Sequence, residues 1–370
     1  MEFSADSKAV AEALDQVQEA VERKATIPIL SHVLVEAIPS GLRLAATDLE
    51  IGIRTFCPAQ VKAQGSVAAP AKRFLDIVRS LPDGEVGVRA LENHWVQVNA
   101  GRSVFRLAAL AKENFPALPD VPKAFAEVPG GVLAGLIDRT AFAVSNQESR
   151  YTLNGALLVL KPTCVEMVAT DGHRLPLAAR DVSVNGLKND ERLLVPRRAV
   201  VGLRHLADAR EADSPIQIAK DDSHLFFSAG DSILIVRSIS GQFPNYEAVL
   251  TKGNKITATL DAATLRESLR RVALLASEQT HVVCLALESG RLTLSTSGGD
   301  AGEASESLDA AYSGEPIRAA FNSTFLLDLL AVVKTGDIEI GLKDDVSAAE
   351  LRPTDQTTYR YRYVVMPMRL

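Results

Sequence analysis

His173 lies two residues from Asp171, and a histidine oriented by a carboxylate is a common general base. The couple suggests acid–base catalysis, but nothing that such catalysis needs accompanies it. The chain has no serine nucleophile elbow, no HExxH and no pair of histidines at ligand spacing. His32, His94, His205, His224 and His281 are dispersed. Neither GxxxxGK followed by Ser or Thr nor GxGxxG occurs, so a nucleotide would find no cradle, and no cofactor or metal is expected. Asp171 also has a counterpart in Asp48, 123 positions earlier, whereas a third, weaker copy of the segment carries Gly298. A catalytic carboxylate would hardly be needed twice. Both aspartates read better as turn or capping residues, and the chain as no enzyme.

Recognition by charge is the second chemistry the residues suggest. Lys72 and Arg79 are seven apart on one predicted helix and share a face, with Arg73 beside them. Arg197 and Arg204 repeat that spacing on another helix, with Arg198 and Arg210. Arg266, Arg270 and Arg271 lie on a third, and Lys334 ends a fourth. Acidic residues fall instead in predicted loops and sheet edges: Asp190-Glu191, Asp221-Asp222, Glu303, Glu306, Asp309 and Asp344-Asp345. Basic helices on an acidic body draw a polyanion to one surface and repel it elsewhere. One such helix alone reads as a solvated face, and recurrence in every copy favours the polyanion. Met366 and Met368 supply a third chemistry. Methionine is flexible and polarizable and suits a groove that accepts several peptides, although alternate residues at a chain end could also finish a core strand.

These residues sit in a chain that says nearly the same thing three times. Phe115-Pro116-Ala117-Leu118, Phe243-Pro244-Asn245-Tyr246 and Met366-Pro367-Met368-Arg369 each close a block of similar pattern. Ala46-Thr47-Asp48, Ala169-Thr170-Asp171 and Ser295-Thr296-Ser297 keep the same beat. Two landmarks with one period argue for three tandem copies of one domain. Helical periodicity predicts helices over 7–23, 71–81, from Leu133, 197–209, 262–276 and 323–333, with alternating strand-like runs between them. Polar or proline-bearing links near Pro119–Pro129 and Thr251–Lys255 place the domains at 1–121, 128–250 and 251–370. Two helices packed on antiparallel sheet in each copy make an α+β fold.

Composition narrows the setting. The 370 residues suffice for several cores. Three scattered cysteines with no CxxC fit reduced thiols in a cytoplasm. Met1 to Lys8 is polar, unlike a secretory signal, and no apolar run approaches membrane-spanning length. The net charge of −6 alone argues weakly against nucleic acid, which makes the segregation of charge the more informative feature.

Thr26-Ile27-Pro28-Ile29-Leu30, Ala46-Thr47-Asp48-Leu49-Glu50, Tyr151-Thr152-Leu153-Asn154-Gly155, Ala169 to Leu175, Phe243-Pro244-Asn245-Tyr246 and the terminal Tyr363 to Leu370 resemble, in order and over the whole chain, the bacterial DNA sliding clamps. These are the beta subunits of DNA polymerase III. The resemblance implies three copies of the DNA-clamp (processivity-fold) domain, closed head to tail with a second chain into a ring of six domains, helices inside. Twelve helices 8–10 Å apart would leave an opening on the order of 25 Å, enough for a DNA duplex with water around it. Binding to double-stranded DNA would be sequence-neutral and topological. The resemblance also implies a cleft for the polymerase III alpha subunit, the clamp-loader delta subunit and other clamp-binding-motif proteins. That cleft would comprise Leu153, Thr170, Gly172, His173, Arg174, Leu175, Pro244, Val249, Val365, Met366, Pro367 and Met368. Lys24, Lys72, Arg73, Arg79, Gln147, Arg197 and Arg204 would face DNA. Ala248 stands where a basic residue is expected, Thr251 where proline is, and Thr152 where an aromatic is; the 352–362 stretch looks longer and more polar than usual. The other reading of the repeats is a monomeric protein-binding scaffold that does not encircle DNA.

Overall fold

The structure is a computed structural model that describes residues 1–22, 26–208, 211–250, 256–299 and 302–369, and only the backbone of Glu148. In the first copy the elements are β1 (Glu2–Asp6), α1 (Ser7–Gln18), β2 (His32–Ile38), β3 (Gly41–Thr47), β4 (Ile51–Cys57), β5 (Gln60–Ala63) and β6 (Gly65–Pro70). There follow α2 (Ala71–Ser80), β7 (Glu85–Ala90), β8 (Trp95–Ala100) and β9 (Ser103–Ala108). The second copy has β10 (Ala126–Pro129), α3 (Gly130–Thr140), β11 (Gly155–Lys161), β12 (Cys164–Val168), β13 (Arg174–Asp181) and β14 (Glu191–Pro196). It continues with α4 (Arg197–Asp208), β15 (Pro215–Lys220), β16 (His224–Ala229) and β17 (Ser232–Arg237). The third has β18 (Ile256–Asp261), α5 (Ala262–Ala273), β19 (Val282–Glu288), β20 (Arg291–Ser297) and β21 (Glu303–Asp309). It ends with β22 (Ile317–Asn322), α6 (Ser323–Val332), β23 (Asp337–Leu342), β24 (Ala349–Pro353) and β25 (Arg360–Val365).

Each helix starts directly after a strand, and the junction residue explains the switch. Asp6 caps α1, its carboxylate accepting from the amides of Lys8 and Ala9. Asp261 caps α5 and Asn322 caps α6 in the same way, through the amides of Thr264 and Thr324. These side chains satisfy amides that a helix start leaves unpaired. At the other three junctions stand Pro70, Pro129 and Pro196, which end a strand ladder without needing an N–H.

The chain divides into two compact units. Met1–Ala134, Asn185–Leu187 and Arg198–Ser238 form the first, and Gly135–Val184, Lys188–Arg197 and Ile239–Leu370 the second. The first contains a five-stranded antiparallel sheet, β5-β1-β7-β8-β9, and an eight-stranded one, β10-β15-β16-β17-β4-β3-β2-β6. The second contains an eight-stranded sheet, β14-β11-β12-β13-β25-β24-β23-β18, and a four-stranded one, β21-β20-β19-β22. Both large sheets cross a boundary between copies. β17 pairs with β4 in the first unit, and β13 with β25 in the second. In the first unit α1 and α2 pack together, and in the second α5 and α6 do.

Three expectations need adjustment. The first helix stops at Gln18 rather than running to position 23, because the chain turns there and Glu22 N donates to Leu30 O. The end of the supposed link Pro119–Pro129 is strand β10, paired with β15. The helix expected from Leu133 starts at Gly130 and ends at Thr140. Gly131 suits this start because a Cβ there would come within 3.0 Å of Ala212. Thr251–Lys255 and Ala209–Arg210 lie outside the described residues. Among the described residues no helix is long and apolar enough to cross a membrane.

Candidate peptide-binding surface and basic helices

The two Thr-Asp segments fold into the same turn, which settles what their aspartates do. Thr47 Oγ1 donates to Ile51 O, and Thr170 Oγ1 to Arg174 O, at 2.8 and 2.7 Å. Each hydroxyl also accepts from the amide two residues on, that of Leu49 or Gly172. Asp48 Oδ1 accepts from the amides of Glu50 and Ile51, and Asp171 Oδ1 from those of His173 and Arg174. This is the hydrogen bonding by which Asp and Thr side chains fix turns. The left-handed third position is Gly172 in one turn and Leu49 in the other, with φ of 92° and 77°. The second carboxylate oxygen pairs with arginine, Arg198 at Asp48 and Arg174 at Asp171. The Asp171 carboxylate is therefore engaged by amides and a guanidinium, while the His173 ring stacks on Phe325 at 6.3 Å.

Arg174 joins three segments of the second unit. Its Nε bonds Asp171 at 2.9 Å, one terminal nitrogen bonds Asp328 of α6 at 2.5 Å, and the other donates to Phe142 O at 2.9 Å. Its guanidinium also lies over the Phe325 and Phe142 rings. With a side chain only 9% exposed, it holds the turn in place rather than presenting charge to a partner.

On the opposite face of the β13–β25 ladder, Leu175 stands across from Val364. Both belong to an apolar cluster with Leu157, Val159, Val168, Leu177 and Ala179. The segment after Phe243 straps over this face: Tyr246 is buried in the cluster, and Phe243, Leu250 and Ala348 pack against it. Beyond the strap the cover is incomplete. Val249 is 43% exposed and Met366 45%, and Pro244 is exposed as well. The tail is held in register by its backbone, Met366 N donating to His173 O and Met368 N to Ala320 O. Tyr363 OH donates to Phe325 O and Tyr361 OH to Arg139 O, and burial pushes both phenols up. An anchored strand end with exposed apolar side chains beside a buried apolar floor is suited to docking an apolar peptide segment.

The basic residues divide into free and committed. On α2, Ala71, Phe74, Leu75 and Val78 are buried, and Lys72 and Arg73 project outward. Among the described residues Lys72, Arg73 and Arg197 form no ion pair, whereas Arg79 pairs with Asp15 at 2.6 Å and Arg204 with Asp208. Arg198 is held by Asp48 and Glu19 O. Arg271 bonds Glu306, and Arg266 and Arg270 bond Glu267. Gln147 is exposed, and Lys24 lies outside the described residues.

Profiles of three domains of the DNA polymerase III beta subunit match the chain in succession: the N-terminal domain over residues 1–119, the central domain over 127–245 and the C-terminal domain over 247–369. The chain belongs to the DNA polymerase III beta subunit family. The beta sliding clamp of Pseudomonas aeruginosa is 33% identical over 372 residues and that of Caulobacter vibrioides 34% over 377, each match covering all of both chains. The crystal structure of the Pseudomonas aeruginosa subunit superposes with a TM-score of 0.92 at 32% identity, again over all of both chains.

For this beta-subunit family member, the second unit brings together the Thr170–Leu175 turn, the Phe243–Leu250 strap and the Val365–Met368 tail. The expected cleft residues differ in how they take part. Val365 is fully buried opposite Arg174, on the other face of the ladder from Leu175, so Val364 is the tail residue of the apolar floor. Successive strand residues point to opposite faces, and the alternation Tyr361, Tyr363, Val365 carried that signal in the sequence. Leu153 is buried and its carbonyl accepts from Ser145 N. Phe325 and Asp328 of α6, which brace the turn, and Ala348, at the edge of the floor, were not anticipated. They come from the third copy, and no local pattern links them to the turn.

Proposed function

We propose that two copies of this chain close head to tail around duplex DNA and hold replication proteins there by peptide segments bound at the apolar cleft. The observation that carries the reading is the succession of three family domains along one chain, in a family of sliding clamps. Retention on DNA is then topological, and the basic helices need supply only sequence-neutral attraction to phosphate, which keeps sliding easy. Lys72, Arg73, Arg197 and Gln147 are the residues assigned to that attraction. Arg79 and Arg204 contribute less because neighbouring carboxylates offset them.

In this reading the exposed Val249, Pro244 and Met366 receive the apolar side chains of the partner, Leu175 and Val364 support them from the buried floor, and Thr170, Gly172 and Arg174 shape the wall. Segments of the polymerase III alpha subunit and of the clamp-loader delta subunit are the expected occupants. The chain performs no chemistry of its own and works in the cytoplasm. Engagement of Asp171 by two amides and Arg174 supports a non-catalytic role for the His-Asp couple.

Light scattering behind size exclusion, over a dilution series, tests the assembly. A stable mass near twice 39.7 kDa supports closure, and a persistent monomer would replace the ring with a protein-binding scaffold. Retention of the loaded protein on circular DNA and its release when the circle is cut would establish that the hold is topological.

A further inference from the structure

The turn, ladder and strap that frame the apolar cleft of the second unit recur, position for position, in the first. Gly52 stands opposite Ile235 there, as Leu175 stands opposite Val364. Arg237 N donates to Glu50 O at 2.8 Å, as Met366 N does to His173 O. Phe115-Pro116-Ala117-Leu118 straps the first sheet as Phe243-Pro244-Asn245-Tyr246 straps the second. We infer that the first unit holds a second copy of the peptide cleft, kept filled by the chain's own Leu118 and Val121. The inference rests on reading the open cleft of the second unit as a peptide site.

Proline decides how each strap behaves. In the second unit Val249 N and Leu250 N both donate to Tyr246 O, at 3.0 and 3.3 Å. Val249 follows that short turn and is left exposed. The first strap has Pro122 where the second has Leu250, and proline has no N–H to close such a turn. Leu118 and Val121 each precede a proline, which biases both toward extended backbone. No helical turn forms over 116–125, and both side chains pack on Ala219, Phe226 and Ile235.

The floor is shaped for this occupant. Glycine at position 52 gives Leu118 room to descend, since even a Cβ there would collide with its side chain. The rim changes as well. Leu49, Glu50 and Arg237 stand where the second unit has Gly172, His173 and Met366, and both charged residues are exposed. Covering charges with an apolar ligand is unfavourable, so this rim discourages a free apolar peptide. The chain supplies its own leucine at the high effective concentration of a tethered ligand, without the loss of translational freedom that a free peptide undergoes. Each chain therefore offers partners one open cleft and keeps its counterpart filled.

The probe copies the internal occupant: Ac-Phe-Pro-Ala-Leu-Pro-Asp-Val-NH2, the sequence of residues 115–121, with its leucine replaced by the diazirine analogue photo-leucine. It is mixed with the full-length protein and irradiated, and mass spectrometry of the digest locates the label. In the wild type the label should fall near Val249 and Met366 alone. In the Leu118→Ala, Val121→Ala double variant it should also fall near Gly52 and Ile235. Labelling there should rise at least about tenfold over the wild type, in line with burial of one leucine side chain. Leu118→Met, which keeps the floor filled, should stay at the wild-type level. A circular dichroism melt checks that the variants fold, and Leu118→Ala alone serves as the milder opening. A first unit that stays unlabelled in both folded opening variants would overturn the inference. Equal labelling of the first unit in the wild type would overturn it too, since the cleft would then be open. A label confined to the first unit of the double variant would support it while counting against the open cleft of the second unit.

Discussion

Leu118 lies so close over Gly52 that a Cβ at Gly52 would come within 2.7 Å of its Cδ2. Position 52 corresponds, at the 123-residue spacing of the Thr-Asp turns, to Leu175, the floor of the apolar cleft in the second unit. In the first unit the strap after Phe115 therefore presses Leu118 onto a glycine, with Leu118 and Val121 packed on Ala219, Phe226 and Ile235. Gly52→Ala should lower stability by about 1–3 kcal/mol through overpacking, and adding Leu118→Ala should recover part of that loss. Chemical denaturation of the single and double variants measures it, and strictly additive losses would contradict the contact.

Arg174→Ala should cost about 3 kcal/mol, because it leaves partners of a mostly buried guanidinium without their cation. Arg174→Lys should recover little, since an ammonium cannot reproduce the three-way fork to Asp171, Asp328 and Phe142 O. Denaturation midpoints of the two variants decide this, and a neutral Lys variant would show that charge alone suffices.

Removing Met366–Leu370 should weaken binding of an apolar clamp-binding peptide at least tenfold while leaving the solution mass unchanged. The deletion takes away exposed Met366 and the backbone tie from Met368 N to Ala320 O. Fluorescence anisotropy supplies the affinity, and an unaltered value would remove the tail from the cleft.

Lys72, Arg73 and Arg197 replaced together by Ala should flatten the salt dependence of DNA retention, each lost phosphate contact lowering the slope by about 1. The same change at Arg79 and Arg204 should do less, because Asp15 and Asp208 already offset them. Equal effects from the two sets would refute the distinction between free and committed charges.

Hydrogen bonds from Arg271 and Ser268 hold the Glu306 carboxyl down to about 2, against an ordinary value of 4.5. A carboxyl whose folded value is depressed stabilises fully above its unfolded value, and that contribution is lost as pH falls from 4.5 through about 2. The difference in melting temperature between the wild type and Glu306→Gln should therefore shrink across that interval. A constant difference down to pH 2 would exclude the linkage.

Local chemistry made much of this legible in the sequence. The Thr-Asp turns and the starts of α1, α2, α4, α5 and α6 depend on residues within a few positions of one another, and these helices start where periodicity placed them, whereas α3 starts three residues before its expected position. Pairings between residues distant in the sequence were less accessible. Asp328 reaches Arg174 from 154 positions away, Asp15 offsets Arg79 from 64, and Glu306 captures Arg271 from 35. A helix that looks basic in sequence can therefore be neutralised by a carboxylate that no local pattern connects to it. Strand parity was readable, but the terminal Val364-Val365 pair offers two apolar residues in a row, and only the neighbouring tyrosines reveal which one faces the floor.

The pairing of β4 with β17 and of β13 with β25 bears on how this protein can be taken apart. Cutting the chain between copies would strip a long ladder of its neighbour and leave open sheet edges, the surfaces on which strands from other molecules add. A fragment containing one copy should therefore be prone to associate with itself, even though that copy is the segment duplicated along the chain. The piece that was multiplied is smaller than either compact unit into which the chain divides.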